Sequence, residues 1–475
     1  MLREFIDAYF EDDAVAKVRA DLIGEGLEIE GPEGRKLLLY ADYAASGRAL
    51  KSIESFVQEK VLPFYANAHT EASYCGAYVN RLRGEARAII ASSCCSNEEH
   101  VVIFAGAGAT AGLNRLAKML IPAHPNARTR KPIPLVLVGP YEHHSNILPW
   151  RESGADIVDI PEAIEGGPDC GAIEAALRNA GVGSKVIGAF SAASNVTGII
   201  TDIERVNGLL KRYGAISVWD FAAGAPYLPI DMKAGGGLDA IVFSPHKFIG
   251  GPGASGVLIV KKTIVPQAAP SITGGGTVSF VSPWSHHYVA ELGAREEAGT
   301  PNVLGDIRAA LVMLVKERIH QAYISARDRE LCRRAREAWG GEERIEVLGN
   351  LEAQRLPIFS FRVRDGNGGH VHQQLVTRML SDYYGVQARG GCACAGPYAH
   401  RLLGIDRDAS ETLWSRLEAG HELEKPGWTR VNLCAVASDE QIGAILHAVS
   451  EVAERAPELA GHYACDAKTA RFRHL

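Results

Sequence analysis

From residue 101 to about 260, short apolar runs alternate with stretches whose apolar positions recur every three or four residues. The runs 101–105, 135–139, 185–191, 215–220 and 240–244 predict strands, and 108–120, 146–153, 171–179 and 203–213 predict helices between them. Strand and helix taking turns is the pattern of a mainly parallel sheet sandwiched by helices, an α/β fold. In such sheets ligands gather beyond the carboxyl ends of the strands.

Outside this region the pattern changes. Residues 2–23 mix apolar and charged positions at helical spacing, and 36–41 predicts a strand entering a polar turn at 42–47. Residues 273–277, Thr-Gly-Gly-Gly-Thr, predict a flexible loop, and 302–338 one long helix. Then come a strand at 358–362, a helix at 369–382, strands at 386–389 and 429–433, and a helix at 438–452. This order predicts a smaller α+β unit, with 404–428 as a polar excursion from it. The expected division is an N-terminal segment 1–37 packing with the small domain, a large domain 38–310, the small C-terminal domain 311–455, and a tail 456–475. There is no internal repeat.

Composition narrows the class. The chain has 475 residues, 47% hydrophobic and 22% charged, with a net charge of −6, ordinary values for a globular protein of two or three domains. The negative charge argues against nucleic acid as a partner. No apolar run is long enough to cross a bilayer and residues 1–13 lack a signal-peptide pattern, so the expected location is cytoplasmic. Nine cysteines without paired spacing predict neither a disulfide framework nor a metal site.

Six segments carry chemistry. Ser244-Pro245-His246-Lys247 follows a predicted strand and runs into Gly250-Gly251-Pro252-Gly253. A lysine at a strand end is a good Schiff-base former once desolvation frees its amine, and Ser244 and His246 could bond a phosphate on the same turn. Viewed alone, four such residues fit a surface loop better; the other segments tip the balance. Gly106-Ala107-Gly108-Ala109-Thr110 opens a helix after a strand, where backbone amides favour an anion. His143, just past another strand, could lie flat on an aromatic ring and move protons; Ser145 or Asn146 could equally cap a helix there. Asn195 at the next strand end could donate to a phenolic oxygen or simply form a turn. Asp220 ends a buried strand and needs a cationic partner or strong donor, for which a pyridinium nitrogen would serve. Near the C-terminus, Arg389 could take a carboxylate bidentately, and the glycines before Cys394 would make a mobile loop carrying an exposed thiol.

Taken together, these segments resemble the class V aminotransferase family of pyridoxal 5'-phosphate enzymes (fold type I) and, within it, the cysteine desulfurases. The resemblance spans residues 38–455. It implies that Lys247 binds the cofactor covalently and then moves protons, that His143 stacks on its ring, and that Asp220 partners the pyridine nitrogen. Asn195 would meet the phenolic oxygen and the substrate carboxylate, and Ala109, Thr110, Ser244 and His246 would hold the phosphate. The Glu297–Asn302 segment, with Gly299 and Thr300, is similar to the piece by which a partner subunit completes that phosphate site, which implies a homodimer with shared active sites. Arg389 would clamp the substrate carboxylate. Cys394 would attack the sulfur of L-cysteine or an analogue, keeping a persulfide for a sulfur-acceptor protein and releasing L-alanine. At Ala223 the chain lacks the glutamine usual in desulfurases. Two other readings keep the fold: an aminotransferase, epimerase or lyase on another amino acid with Cys394 incidental, and a non-catalytic scaffold for sulfur transfer.

Overall fold

The computed structural model describes residues 1–11, 13–68, 70–121, 132–181, 183–266 and 268–475. They form two compact units, the first Met1–Ile23, Ser46–Ala192 and Thr201–Gln321, the second Gly24–Ala45, Ala193–Ile200 and Ala322–Leu475. Residues 1–23 therefore lie with the first unit, not with the smaller one, and the division falls at 321 instead of 310.

Seven strands build the sheet of the first unit: β1 (His100–Gly106), β2 (Leu135–Val138), β3 (Asp156–Asp159), β4 (Val186–Ser191), β5 (Ile216–Asp220), β6 (Ala240–Phe243) and β7 (Gly256–Lys261). Their order is β1-β7-β6-β5-β4-β2-β3. Strands β2 to β6 pair in parallel, as the covered apolar runs of β2, β4, β5 and β6 predict, while β7 is antiparallel to both β6 and β1. The alternation of runs did not single out β3 or β7. A parallel neighbour of β6 would need a crossover, usually a helix, to carry the chain back to the other end of the sheet; residues 244–255 hold only the single turn Pro245–Lys247 and a glycine-rich bend, so the chain returns antiparallel. Ile103, Val136, Ile187, Val218, Val242 and Leu258 form the core with Leu113, Leu116 and Leu120 of the helix Gly108–Leu120.

Two expected helices are each divided. Residues 2–23 form Leu2–Tyr9 and Ala14–Asp21, the second capped by the Asp13 side chain, which accepts from the Ala16 amide. The long helix expected over 302–338 is two, Val303–Ile319 and Gln321–Trp339. His320 between them has φ +66, a left-handed conformation that no α-helix can pass through.

The second unit holds an antiparallel sheet of β8 (Ile345–Val347), β9 (Ile358–Arg364), β10 (Arg389–Gly391) and β11 (Trp428–Asn432), in the order β8-β9-β11-β10. Trp339, Phe361, Met379, Val431 and Val449 are buried in its core. The strand expected over 386–389 is divided: Val386–Gln387 pairs in parallel with Leu39–Tyr40, and Arg389–Gly391 joins the sheet. The helix expected from 369 starts at Gln373 and runs to Tyr384, because His370–Val371 pairs with β9 first. Residues 404–428 contain the helix Arg407–Glu418. The last helix reaches Leu459 from a Ser438/Gln441 capping box, and a hairpin of Tyr463–Asp466 with Arg471–His474 follows. Among the described residues, no helix is long and apolar enough to cross a membrane.

Candidate active site

The carboxyl ends of β4, β5 and β6 lie side by side. Ser191 is in register with Asp220, and Asp220 with Val242. Ser244 follows β6, and Pro245 at the start of a single turn delivers His246 and Lys247. Two backbone hydrogen bonds fix this loop: Gly47 donates to the His246 carbonyl at 2.8 Å and Gly250 to the Arg48 carbonyl at 2.7 Å. The chain then doubles back so tightly that a Cβ at Gly251 would stand 2.1 Å from the Pro245 carbonyl oxygen, so only glycine fits. Phe248 is buried beside it and anchors the turn.

Asp220 is buried and accepts from the Ala222 amide at 2.7 Å through Oδ1. Burial pushes its pKa up, against the Ala222 amide and the Lys247 charge, which both pull it down. A carboxylate so placed is stabilised by any cation brought to it. Burial, and next the Lys247 charge, lower the pKa of His246, so its ring is held neutral.

The helix start at Gly108 closes on the lysine loop. The Ala109 amide donates to Ser244 Oγ at 2.9 Å. Gly108 has φ +61, and a Cβ there would lie 3.0 Å from both Ser244 Oγ and His246 Cε1. Thr110, exposed, places Oγ1 2.7 Å from Ser145 Oγ, which is 3.0 Å from His143 Nδ1. The Ser145 amide donates to that same Nδ1 at 3.1 Å. In the neutral ring the proton therefore sits on Nε2, leaving His143 a donor at its far nitrogen. Ala109, Thr110, His143, Asp220, Ser244, His246 and Lys247 are thus joined within one unit through direct contacts, shared neighbours or charge.

Glu142 was passed over in the sequence. It is buried, accepting from the Ser191 amide at 2.7 Å, from Ser191 Oγ at 2.6 Å and from Asn146 Nδ2 at 2.5 Å. Asn146 Oδ1 in turn accepts from the buried Trp150 indole at 3.0 Å. Burial pushes the Glu142 carboxyl up to about 8, opposed by these hydrogen bonds and reinforced by Asp220. The available signal was an acid at a strand end with an amide four residues on.

In the second unit, Arg389 is exposed, and its Nε pairs with Asp42 Oδ2 at 2.9 Å. The other Asp42 oxygen takes the buried Arg430 at 2.9 Å, and Arg430 also donates to the Asn195 carbonyl at 2.9 Å. Asn195, expected to face a phenolic oxygen, donates its Nδ2 to the Ala393 carbonyl at 2.8 Å instead. Its Oδ1 is buried without a hydrogen-bond partner among the described residues. Ala393 and Cys394 both have left-handed backbones, φ +53 and +55, a strained pairing for non-glycine residues. Cys394 is exposed and Cys392 half-buried. The buried Cys332 and Cys434 differ: burial pushes their thiols up to about 12 and about 11, so they stay protonated.

Gly299 and Thr300 are exposed, at the end of a segment held by a charged cluster. Glu297 accepts from Arg83 at 2.8 Å, from Arg87 at 2.9 Å and from the Phe104 amide at 2.8 Å. Among the described residues, no group of three His, Cys, Asp or Glu side chains is arranged to hold a metal ion.

The aminotransferase class-V family matches residues 39–442. The chain belongs to this family. Its members work with pyridoxal phosphate, and the residues described above fit that group. The Gly108 turn leaves room where a side chain would intrude on Ser244 and His246, Asp220 is a buried acid that a cation would stabilise, and Lys247 ends the turn that follows the adjoining strand. The chain is similar to "Probable cysteine desulfurase" of Pyrococcus abyssi, with 29% identity over 376 residues, 77% of this chain and 87% of that one. It is also 32% identical over 263 residues to "Probable cysteine desulfurase 2" of Mycobacterium leprae, 55% of this chain and 60% of the relative. Among solved structures, the apo cysteine desulfurase of Thermococcus onnurineus has a TM-score of 0.72 and 26% identity, over 88% of this chain and 95% of that one.

Proposed function

We propose that this member of the class V aminotransferases is a cysteine desulfurase, taking sulfur from L-cysteine onto Cys394 and releasing L-alanine. The observation that carries the reading is the contrast among the second unit's thiols: among the described residues of that unit Cys394 alone joins exposure to a left-handed backbone, on a loop three residues beyond β10, while Cys332 and Cys434 are buried and protonated. Bound pyridoxal phosphate supplies the electron sink that makes the substrate's α-proton acidic. Ser244, His246, Thr110 and the helix start at Ala109 would hold the phosphate, and Asp220 would hold the pyridine nitrogen. His143, a donor at Nε2, would orient the ring. Lys247 would anchor the group, and its amine would carry a proton between the substrate's α- and β-carbons.

Arg389 binds the substrate carboxylate, using the guanidinium nitrogens beyond the Nε that Asp42 engages. The Cys394 thiolate attacks the substrate's sulfur. A sulfur–sulfur bond forms and the carbon–sulfur bond breaks. The electron pair of that bond stays with carbon, which takes a proton and leaves as alanine, so no outside oxidant is needed. Cys394 must return to a thiol between turnovers, which suits a reducing, cytoplasmic setting. The exposure of Gly299 and Thr300 supports a homodimer in which they complete the partner's phosphate site. An acceptor protein would collect the persulfide.

The test is purified protein incubated with L-cysteine and a reductant, assayed for alanine and sulfide in equal amounts. Alanine without persulfide on Cys394, read by mass spectrometry, would favour a lyase or aminotransferase in which Cys394 is incidental.

A further inference from the structure

Glu142 is a buried acid beyond the carboxyl end of β2 to which the proposed reaction assigns nothing. It lies in the loop after β2, directly before His143, and its carboxyl reaches across to β4. There it takes both hydrogen-bond donors of Ser191, the amide at 2.7 Å and the hydroxyl at 2.6 Å. Ser191 is the register partner of Asp220 on β5, and the Ala192 amide next to it donates to the Asp220 carbonyl at 2.9 Å. On its other side the same carboxyl takes Asn146 Nδ2 at 2.5 Å, which closes the turn containing His143, His144 and Ser145. Asn146 and Trp150 continue the chain into the core, both with no exposed surface.

We propose that Glu142 is a positioning residue for the cofactor site: its carboxyl ties the His143 loop to the strand end beside Asp220, so that the histidine and the aspartate are set as one unit. The proposal deepens the pyridoxal-phosphate reading and rests on it. Three donors converge on two oxygens, so both oxygens must accept; a carboxyl does this ionised or protonated, because a protonated Oε2 can pass its one proton to the Ser191 hydroxyl and still accept from Asn146. Glutamine has the same shape but presents an amide N–H₂ to at least one of those donors, and Asn146 cannot turn to oblige because its Oδ1 already serves Trp150. Electrostatics acts in the same direction. Asp220, from the neighbouring strand, is the charged group that acts on Glu142; Lys247 acts on Asp220, and His143 is the titratable neighbour on the same loop. Two carboxyls this deeply buried do not both ionise readily. Burial pushes the Glu142 carboxyl up to about 8 and so favours its neutral form at pH 7, which takes one negative charge away from the surroundings of Asp220.

The experiment compares wild type, Glu142→Gln, Ser191→Ala and Trp150→Phe, all as full chains reconstituted with pyridoxal phosphate in the absence of L-cysteine. Measured are the cofactor Kd, the pH at which the bound cofactor's visible absorption changes, and the melting temperature. Losing one buried hydrogen-bond arrangement predicts a Kd raised about tenfold in Glu142→Gln and about threefold in Ser191→Ala. The absorption midpoint should move by about one pH unit in Glu142→Gln, a tenfold change in proton affinity. Trp150→Phe trims the same chain at its far end and should lower the melting temperature while leaving the midpoint in place. The proposal is overturned if Glu142→Gln keeps the wild-type Kd and midpoint, or if Trp150→Phe moves both as far as Glu142→Gln does. Should Glu142→Gln fail to fold, wild-type values in Ser191→Ala overturn it equally. Failure of wild type to bind pyridoxal phosphate is a different result, and it sinks the function reading instead.

Discussion

The strand-end floor of the first unit and the cysteine loop of the second are built on opposite principles. Asp220, Glu142 and Ser244 are buried, and each is fixed by hydrogen bonds to neighbouring strands or turns. Ala393 and Cys394 sit in left-handed backbone on a segment that reaches the surface, with one side-chain hydrogen bond from Asn195 to Ala393. The difference suits the tasks proposed for the two regions. Groups that tune a bound ring's charge need low dielectric and immobility. A thiol that must load sulfur in one place and hand it on in another needs exposure and a low cost of movement.

The largest break in this comparison is at the floor. Lys247→Ala should remove covalent cofactor attachment and reduce alanine formation by about a thousandfold or more. Borohydride reduction followed by peptide mass spectrometry checks it, since a pyridoxyl group found on another lysine contradicts the assignment. On the loop side, Cys394→Ser should cut sulfide release by about a hundredfold or more while leaving cofactor Kd within about twofold, because the loss lies in the nucleophile alone. A Kd that falls together with activity would mean the thiol shapes the floor as well.

Asp42 sharpens the contrast from a third side, since it pairs both the exposed Arg389 and the buried Arg430. Asp42→Asn leaves Arg430 a buried, weakly partnered charge and should cost about 3 kcal/mol of stability by denaturant titration. Arg389→Lys keeps the charge and should cost little stability, yet raise the KM for L-cysteine about tenfold through the lost bidentate geometry.

A smaller effect concerns the latch on the loop. Asn195→Ala removes the hydrogen bond to the Ala393 carbonyl, worth about 1 kcal/mol, and should speed iodoacetamide alkylation of Cys394 about fivefold without changing that of Cys95. An unchanged rate would mean that strain at residues 393 and 394, and not Asn195, sets the loop's position.

The smallest is a pH slope. Burial raises the folded-state pKa of Glu142 above that of an unfolded carboxyl, to about 8. Its contribution to stability is therefore complete below about pH 4.5 and is lost as pH rises through 8. Between pH 6 and 9, wild type should lose denaturation midpoint relative to Glu142→Gln. Parallel curves would show that Glu142 does not titrate in that window.

Much of the first unit was legible because a covered parallel strand leaves a plain mark: Ala240-Ile241-Val242-Phe243 is continuously apolar, and all four residues are buried. The turn residues after it were equally readable, since Gly251 has no alternative where a Cβ would meet the Pro245 carbonyl. The break at His320 was not, because its left-handed backbone sits at a residue with no special preference for it. Nor was Glu142, since an acid before a histidine carries no sign of the Ser191 donors that meet it from a strand some fifty positions away in the chain.

By itself, then, the order of residues determined the α/β layering, the lysine at a strand end and the thiol near a glycine-rich stretch, all properties of local pattern and chemical type. Tertiary structure alone decided that Asn195 serves the Ala393 carbonyl, that Asp42 joins Arg389 to Arg430, and that Glu142 is bound to Ser191 beside Asp220. Those depend on which buried donors and acceptors meet after the chain has folded, and a buried polar group takes whatever partner the packing brings within about 3 Å.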